Sequence, residues 1–437
     1  MYVTVRGVGA EEGTQAPAPA PAPTSGAQAV RRRVPGTVLA LGAVSFFTDI
    51  SSESVVAILP LYLTAVLGMS PLAYGFIDGL YQGVSALVRV LGGWWADSTR
   101  HGKWVAFVGY GISALSRFAM LPATGLAAIT GVVAADRLGK GLRTGPRDGM
   151  IADASEPAQL GRNFGVHRAL DTAGALIGPL VAFAILAAIP FGLGGYHSVF
   201  VFSAAVAVVG LAVLVVAVPG RARRAVATAP AGSATPTEPR ARMRWSDLAD
   251  PRLRRLLVGA GLLGLLTIGD GFLYLVLAAS GSFGASFFPL LMVGTNAAYL
   301  LLAIPLGRLA DRVGRMKVFV GGHLVLAAAY GLTATQLGGA VWVVAVLAML
   351  GLFYAATDGV LAALASRYVP QSSRATGIAA AQTVVALTRF GASVGFGLLW
   401  TLSGRPTALG VMAVLLAVAV PLAAWLLRGP RRTAVAV

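Results

Sequence analysis

The chain has no cysteine among its 437 residues. That absence excludes a disulfide framework, a thiolate metal site, an iron–sulfur cluster and a cysteine nucleophile. Charged residues are also scarce, at 12%, whereas soluble domains carry about 25%. Hydrophobic residues make up 57% of the chain and the mean hydropathy is +0.77, so there is too little polar surface to cover a water-soluble protein. The composition therefore indicates a membrane protein.

Sequence patterns for catalysis and nucleotide binding are missing as well. The four histidines show neither the His-x-x-x-His nor the His-Glu-x-x-His spacing of a metalloprotease. The glycine-rich segment that begins at Gly139 lacks the spacing of a phosphate-binding loop. We therefore expect no cofactor, no metal site and no enzymatic activity.

The formal net charge of +17 has the sign and size that proteins use to neutralise nucleic-acid phosphates. The positions of the basic residues favour another explanation. Arginines cluster in tails and in connections between apolar runs, at 31–33, through 221–255 and at 428–432. This distribution is typical of cytoplasmic membrane loops, so we expect no nucleic-acid partner.

Residues 1–34 contain an Ala-Pro alternation and no apolar run, which predicts a disordered cytoplasmic tail. Apolar runs of roughly 20 residues then recur to the end, each long enough to cross ~30 Å of hydrocarbon. The sequence therefore predicts an all-α integral membrane protein. Its twelve transmembrane helices are expected to be centred near residues 51, 83, 112, 137, 175, 207, 266, 297, 327, 352, 388 and 416.

The connections between these runs alternate in charge. Counted from the first run, the odd-numbered connections together contain one basic residue, Arg405, and the even-numbered ones contain nearly all the rest. By the positive-inside rule, both termini of a multi-pass protein of the inner (plasma) membrane are then cytoplasmic.

A short motif occurs twice, which predicts an internal repeat. The segments 93–97 and 307–311 share their first glycine and last aspartate, and a lysine follows each aspartate six residues later, at Lys103 and Lys317. Both lie after the second span of their half, which predicts two pseudo-symmetric six-helix bundles. The expected domains are a tail at 1–34, a first half at 35–218, a cytoplasmic linker at 219–252, a second half at 253–428 and a tail at 429–437.

These residues resemble the major facilitator superfamily. Residues 307–315 read Gly-Arg-Leu-Ala-Asp-Arg-Val-Gly-Arg, close to the family's loop signature, and the copy around Asp97 departs from it at three positions. Residues 137–141 resemble the family's fourth-span Arg-x-x-x-Gly pattern. Gly174, Gly178 and Pro179 resemble the fifth-span signature associated with antiporters. The resemblance implies transport by alternating access and, more specifically, a proton-coupled efflux-type member.

Two carboxylates lie in the middle of the first span. Asp49 and Glu53 are four residues apart and therefore on one helix face. Two such groups cannot both ionise cheaply in a low dielectric, so one is expected to hold a proton near neutral pH. They are our candidates for proton coupling. The alternative is that either acid pairs with a basic neighbour to hold helices together.

The fourth span carries the candidate partners of that pair. Arg137 and Lys140 lie at the predicted depth of Asp49 and Glu53, so they are expected to compete with a proton for the carboxylates or to hold an anionic substrate. An internal ion pair between Asp136 and Lys140 is the alternative.

Single polar residues in the otherwise apolar second half complete the predicted cavity. An ionisable side chain near the bilayer centre costs at least ~2.5 kcal/mol on insertion scales, so each is a functional candidate. The candidates are Asp270, Tyr274, Asn296, Asp358 and Arg389.

A third group is expected to control the gates. The resemblance implies that Asp97 braces the cytoplasmic side against the start of the eleventh helix near Arg374, and that Asp311 faces the fifth helix near Arg162. The alternative is that both aspartates only cap turns. Asp171, Gly174 and Gly178 are expected to form an interhelical lock. The other gating candidates are Lys103, Asp148, Pro179, Gly307, Arg312 and Arg315.

The function expected from these patterns is proton-coupled export of a small amphiphilic organic molecule by a monomer in the lipid bilayer. The sequence leaves open proton-coupled metabolite uptake, and also a non-transporting receptor or a membrane-embedded enzyme on the same scaffold.

Overall fold

The computed structural model describes residues 33–99, 101–189, 192–220, 250–358, 360–365 and 374–427. Within these ranges the regular structure is entirely helical. The predicted tails and most of the predicted linker lie outside the described residues.

We number the helices in chain order. They are α1 Gly36–Val56, α2 Pro71–Thr99, α3 Gly102–Ala119, α4 Gly125–Asp153, α5 Leu160–Ala188, α6 Leu193–Ala217, α7 Pro251–Leu265, α8 Asp270–Ala279, α9 Phe288–Val313, α10 Arg315–Ala334, α11 Ala340–Thr357, α12 Val360–Ala365, α13 Arg374–Ser403 and α14 Arg405–Leu427.

The long helices fall where the apolar runs predict them. Among the described residues, nine helical segments are long and apolar enough to cross a membrane, which indicates a multi-pass membrane protein. The helix α4 is not one of the nine, because its sequence also carries Asp136, Arg137, Lys140, Arg143 and Arg147. Asp136, Arg137 and Arg143 are buried, and Lys140 and Arg147 are half-buried. These charged side chains are therefore covered, wholly or partly, by other parts of the protein.

Local sequence signals explain where several helices begin. Asp250 accepts hydrogen bonds from the backbone N–H groups of Arg252 and Leu253, and Pro251 occupies the first position of α7, where no N–H is required. Gly314 separates α9 from α10 with a φ of +107°. A side chain at that φ would be strained, so glycine allows the sharp turn between the two helices.

Three helical paths are interrupted within the protein. The first break is at Ala57 and Ile58, after which the chain continues through a turn at Leu59–Leu61 and a π-helical segment at Tyr62–Val66. The second break, at residues 266–269, separates α7 from α8. The third follows α11 at Asp358, whose ψ of 133° is extended. At the first break the N–H groups of Ala57 and Ile58 still donate to the carbonyls of Glu53 and Val55, so this break is a distortion of the helix. An interruption that frees backbone polar groups requires protein or water around it rather than lipid.

Helix packing follows the same pattern twice. In the first six helices, α1 packs against α5 and α6, α2 against α4, and α3 against α4 and α6. In the later part, α7 packs against α13 and α14, α9 against α11, and α10 against α11 and α14. The two sets meet where α2 packs against α13 and where α5 packs against α9.

Glycines allow the close approach of α2 and α13. A side chain at Gly75 would overlap the backbone of Ser393, and a Cβ at Gly79 would lie 2.9 Å from the carbonyl oxygen of Phe390. Near the other end of the contact, a Cβ at Gly397 would lie 3.0 Å from the Cα of Leu72. The two helices are therefore in backbone contact along this stretch.

Candidate substrate cavity and buried charge network

One cavity of about 350 Å³ is lined by residues that lie at, or directly after, the three helix interruptions. Ala57 lines it from the first break, Asp270 from the second and Asp358 from the third. This size is within the usual range of small-molecule sites. The other polar lining residues are Tyr74, Asp78, Tyr81, Gln82, Tyr274, Asn296, Tyr299 and Tyr354.

Hydroxyl groups hold the carboxylates of this cavity in place. The hydroxyl of Tyr354 donates to Asp270 and lies 2.9 Å from each of its carboxylate oxygens. Ser393 donates to Asp78 at 2.6 Å, and Tyr299 donates to Asp358 at 3.2 Å. Each of these contacts joins two different helical segments, so the acids also link the elements that surround the cavity.

Glycines on both sides of Asp270 allow α2 to contact the start of α8. A side chain at Gly269 would overlap the carboxylate of Asp78, and one at Gly271 would overlap the hydroxyl of Tyr74. The segment 269–271 therefore presents backbone to α2 while Asp270 lines the cavity.

A second group of charges lies between α1, α4 and α5. The carboxyl groups of Asp49 and Asp171 are within hydrogen-bonding reach of each other. Two carboxyl groups can form such a bond only if one of them carries the proton. Glu53, one turn further along α1, lies 3.9 Å from the Nζ of Lys140. The structure thus gives Asp49 a carboxyl partner on α5 and gives Glu53 a cationic partner on α4.

Arg147 connects this group to its surroundings. One of its terminal nitrogens donates to Ser45 at 3.2 Å and lies 3.5 Å from Asp171, and its Nε donates to Asp148 at 3.0 Å. The hydroxyl of Ser45 also hydrogen-bonds with His167 at 3.0 Å. Asp171 and Asp148 thus contact the same guanidinium, which joins α4 to α5.

The direct ion-pair partner of Arg137 is Asp136, and its predicted electrostatic effect on Asp49 and Glu53 stays a prediction. The guanidinium of Arg137 pairs with Asp136, and its central carbon lies 3.8 Å from the centre of the Tyr81 ring. Arg117 pairs with the other oxygen of Asp136 at 2.7 Å. Because Asp136 has these two arginine partners, the alternative of an internal Asp136–Lys140 pair is also not what the structure shows.

The two glycines of α5 that were predicted to allow close helix contact, Gly174 and Gly178, pack against α1. A side chain at Gly174 would overlap the backbone of Phe46, and a Cβ at Gly178 would lie 2.8 Å from the nitrogen of Ser54. Pro179 follows within the helix and is buried. This close approach brings Asp171 on α5 within reach of Asp49 on α1.

The remaining gating candidates have varied surroundings. Lys103 donates to the carbonyls of Val215 and Val218 and so caps the end of α6. Asp311 near the end of α9 pairs at 3.1 Å with Arg315, the first residue of α10, across the turn at Gly314, and both Gly307 and Arg312 are exposed. Arg162 is exposed on α5. The side chains of Asp97 and Arg374 lie outside the described residues, so the predicted cytoplasmic brace stays a prediction.

Four of the five candidates that the sequence predicts in the second half of the chain line the same cavity. Asp270, Tyr274, Asn296 and Asp358 all line the cavity, and Arg389 on α13 exerts its charge on Asp270 and on Asp78. Sequence reasoning missed Asp78, Tyr74, Tyr354 and Ser393 as site residues. The spacing of Tyr74, Asp78 and Tyr81 on one helix face was a usable signal for part of that set.

Comparison with known families gives one broad match. The sequence profile of the Major Facilitator Superfamily matches residues 41–295 and 261–437. An uncharacterized MFS-type transporter of Methanocaldococcus jannaschii is 29% identical over 398 residues, which cover 88% of this chain and 94% of that protein.

Two solved structures with a similar fold are those of transporters. The structure of the nucleoside transporter NupG has a TM-score of 0.71 at 17% identity and covers 90% of this chain and 99% of that one. A bacterial homolog of the human lysosomal transporter Spinster, in an inward-facing and unoccupied conformation, has a TM-score of 0.69 at 16% identity, with 90% and 96% covered. These likenesses concern the fold. Together with the family profile they indicate a non-enzymatic transporter.

Proposed function

The chain belongs to the Major Facilitator Superfamily, and from that premise we propose that it exports a small amphiphilic organic molecule in exchange for protons, by alternating access. The single observation that carries this proposal is one cavity lined by residues at, or directly after, three helix interruptions. In secondary transporters, substrate sites near the bilayer midplane are formed by discontinuous helices. Unpaired backbone at that depth is tolerated where it lines a cavity.

The proposed architecture is two six-helix halves, 35–218 and 253–428, with twelve transmembrane spans. The repeated packing pattern supports it, because each contact within α1–α6 has an equivalent within α7–α14. The proposal also includes a cytoplasmic linker at 219–252 and tails at 1–34 and 429–437. The two helix pairs that connect the sets, α2 with α13 and α5 with α9, are also equivalent under this repeat.

The proposed location is the plasma membrane, and the proposed orientation places both termini in the cytoplasm. The absence of cysteine allows a direct test with single introduced cysteines. A cysteine at Leu337, which is 72% exposed, should react with a membrane-impermeant maleimide added to intact cells. A cysteine at Val313, at the end of α9, should react only in inverted vesicles. The opposite labelling pattern would reverse the orientation.

Proton coupling is proposed for the group between α1, α4 and α5. The contact between the carboxyl groups of Asp49 and Asp171 supports this, because a proton is needed to form it. Lys140, at 3.9 Å from Glu53, supplies the nearby positive charge that favours the ionised form of an acid. Loading and release of a proton would change the contact between α1 and α5.

Alternating access requires contacts that open on one side as they close on the other. The glycine-mediated contact of α2 with α13 supports closure on the proposed outer side. The proposed cytoplasmic counterpart is the brace formed by Asp97 with the eleventh span and by Asp311 with the fifth. Each brace should favour the outward-facing state by the order of 1 kcal/mol.

Transport by purified protein in liposomes tests the function. The purified protein would be reconstituted into the membranes of liposomes that contain a pH-sensitive dye. These liposomes would then be screened against a library of small amphiphiles. We expect at least one compound to release protons through the protein and to be moved uphill by an imposed proton gradient of the matching direction. Empty liposomes are the control. If no compound is both coupled to proton movement and exchanged across the membrane, the proposal fails.

A further inference from the structure

The charges that line the cavity are of one sign. Asp78, Asp270 and Asp358 all line it, and the described lining residues include no lysine, arginine or histidine. Arg389 on α13 exerts its positive charge on Asp78 and Asp270, and the guanidinium of Arg137, which pairs with Asp136, lies against the ring of Tyr81. The lining itself thus contributes three carboxylates and, among the described residues, no cationic side chain.

The groups that hold these carboxylates cannot supply a positive charge. Tyr354, Ser393 and Tyr299 donate hydrogen bonds to Asp270, Asp78 and Asp358, and all three donors are neutral hydroxyls. Hydrogen bonds of this kind orient a carboxylate without neutralising its negative charge. A buried charge without a counter-charge is costly, so an occupant that brings a positive charge would be stabilised here and an anion would be repelled.

Asp270 is the best placed of the three acids to face an occupant. Both of its oxygens are fixed by a single hydroxyl, and it lies in the first turn of α8, where the helix dipole stabilises a negative charge. Asp78 is held by Ser393 and lies against the backbone of Gly269. Asp358 is exposed at the third break.

Aromatic rings make up much of the remaining wall. Five tyrosines line the cavity, together with apolar side chains such as Ile77 and Met292. Tyrosine faces attract cations, and the ring of Tyr81 already does so with the guanidinium of Arg137 at 3.8 Å. The wall thus offers carboxylates for a charged head and rings for an apolar body.

We propose that the cavity binds an amphiphilic organic cation, an amine or quaternary ammonium with an aromatic or aliphatic body, and that Asp270 is the main carboxylate contact for its charge. This inference rests on the proposed transport function and names the substrate class of the same site. An organic anion is the class that the site excludes.

Three probes of similar shape and different charge test the proposal on the purified full-length chain. They are benzyltrimethylammonium, its neutral isostere neopentylbenzene and the anion benzylsulfonate. Binding would be followed as a concentration-dependent rise in the unfolding temperature. We expect benzyltrimethylammonium to bind at least ~10-fold more tightly than either of the others. Equal or tighter binding of the neutral or anionic probe, or no binding of the cation at 10 mM or below (roughly the weak limit of a specific site), would overturn it.

Variants distinguish a direct contact of Asp270 with the cation from a general effect of the net charge of the protein. Asp270→Asn should weaken binding of benzyltrimethylammonium by ~10-fold or more, whereas Asp270→Glu should retain most of it. The matched control is Asp153→Asn, which changes the net charge equally at an exposed position at the end of α4. Unchanged cation binding in Asp270→Asn would remove that residue from the site. The comparison of probes on the unmodified chain does not depend on whether the variants fold.

The liposome screen distinguishes failure of this inference from failure of the transport proposal. If the proton-coupled compounds in the screen are neutral or anionic, the chain is a transporter and the cation assignment is wrong. If benzyltrimethylammonium binds with the expected charge preference and no compound is transported, the cation site stands and the transport proposal is wrong.

Discussion

Ser393 on α13 donates a 2.6 Å hydrogen bond to Asp78 on α2, across the contact between the two sets of helices. The residues are 315 positions apart in the chain, and the glycines at 75 and 79 bring their helices close enough to meet. A hydrogen bond to a charged acceptor contributes about 1.5–3 kcal/mol, which is enough to bias a conformational equilibrium. The bond therefore links the substrate cavity to the proposed outer closure.

The first prediction concerns that bond. Ser393→Ala should weaken the contact of α2 with α13 and raise the outward-open population about tenfold, because separation of the two helices would break the stabilising bond. Spin labels on cysteines introduced at Leu72 and Leu402, both exposed, would report the change as a larger share of long distances. Ser198→Ala, which removes a hydroxyl that bonds only within α6, is the control. An unaltered distance distribution would show that the bond does not contribute to closure.

The second prediction concerns the carboxyl pair of α1 and α5. Asp49→Asn and Asp171→Asn should each abolish uphill transport while leaving downhill exchange of substrate at least partly intact, because each removes a carboxyl group to which the proposed coupling assigns the proton. Counterflow and gradient-driven uptake in liposomes would be measured in parallel. Asp153→Asn serves as the control at an exposed site. Uphill accumulation equal to that of the unmodified chain in both variants would exclude the pair from coupling.

The sequence predicted individual polar residues better than it predicted their partners. Asp270 and Asp358 are conspicuous because they interrupt apolar runs, and both line the cavity. Their hydroxyl partners were not predicted, because the bond from Tyr354 to Asp270 spans 84 residues and depends on how two helices are rotated. The direct ion-pair partner of Arg137 was not predicted for the same reason. Helical spacing places it at the depth of Asp49, but the neighbouring Asp136 and the ring of Tyr81 bind its guanidinium.

The third prediction separates the two basic residues of α4. Lys140→Gln removes the cation 3.9 Å from Glu53, and loss of this charge contact should change the pH profile of transport. Arg137→Gln should leave the pH optimum in place and lower the free energy of unfolding by about 1.5–3 kcal/mol, since it removes one of the two arginines that pair with the buried Asp136. Transport at a series of pH values and unfolding in detergent would be measured for both variants. Identical pH profiles for the unmodified chain and Lys140→Gln would contradict the pairing with Glu53.

The last prediction concerns the contact of α1 with α5 that brings Asp49 and Asp171 together. In Gly178→Ala, the added Cβ would lie 2.8 Å from the nitrogen of Ser54 and 2.9 Å from the carbonyl oxygen of Ile50. Both contacts are with backbone, which cannot rotate away, so α1 and α5 must separate at a cost of about 1–3 kcal/mol.

Gly165→Ala on the same helix is the matched control, because its Cβ would meet nothing within 4 Å. Alanine favours a helix over glycine by up to about 1 kcal/mol, so this variant should be neutral or slightly more stable. Unfolding temperatures in detergent would give the comparison, and gradient-driven transport would show whether separation of the helices also uncouples the carboxyl pair. If Gly178→Ala is as stable as Gly165→Ala and retains uphill transport, close packing at residue 178 is not what positions Asp171 against Asp49.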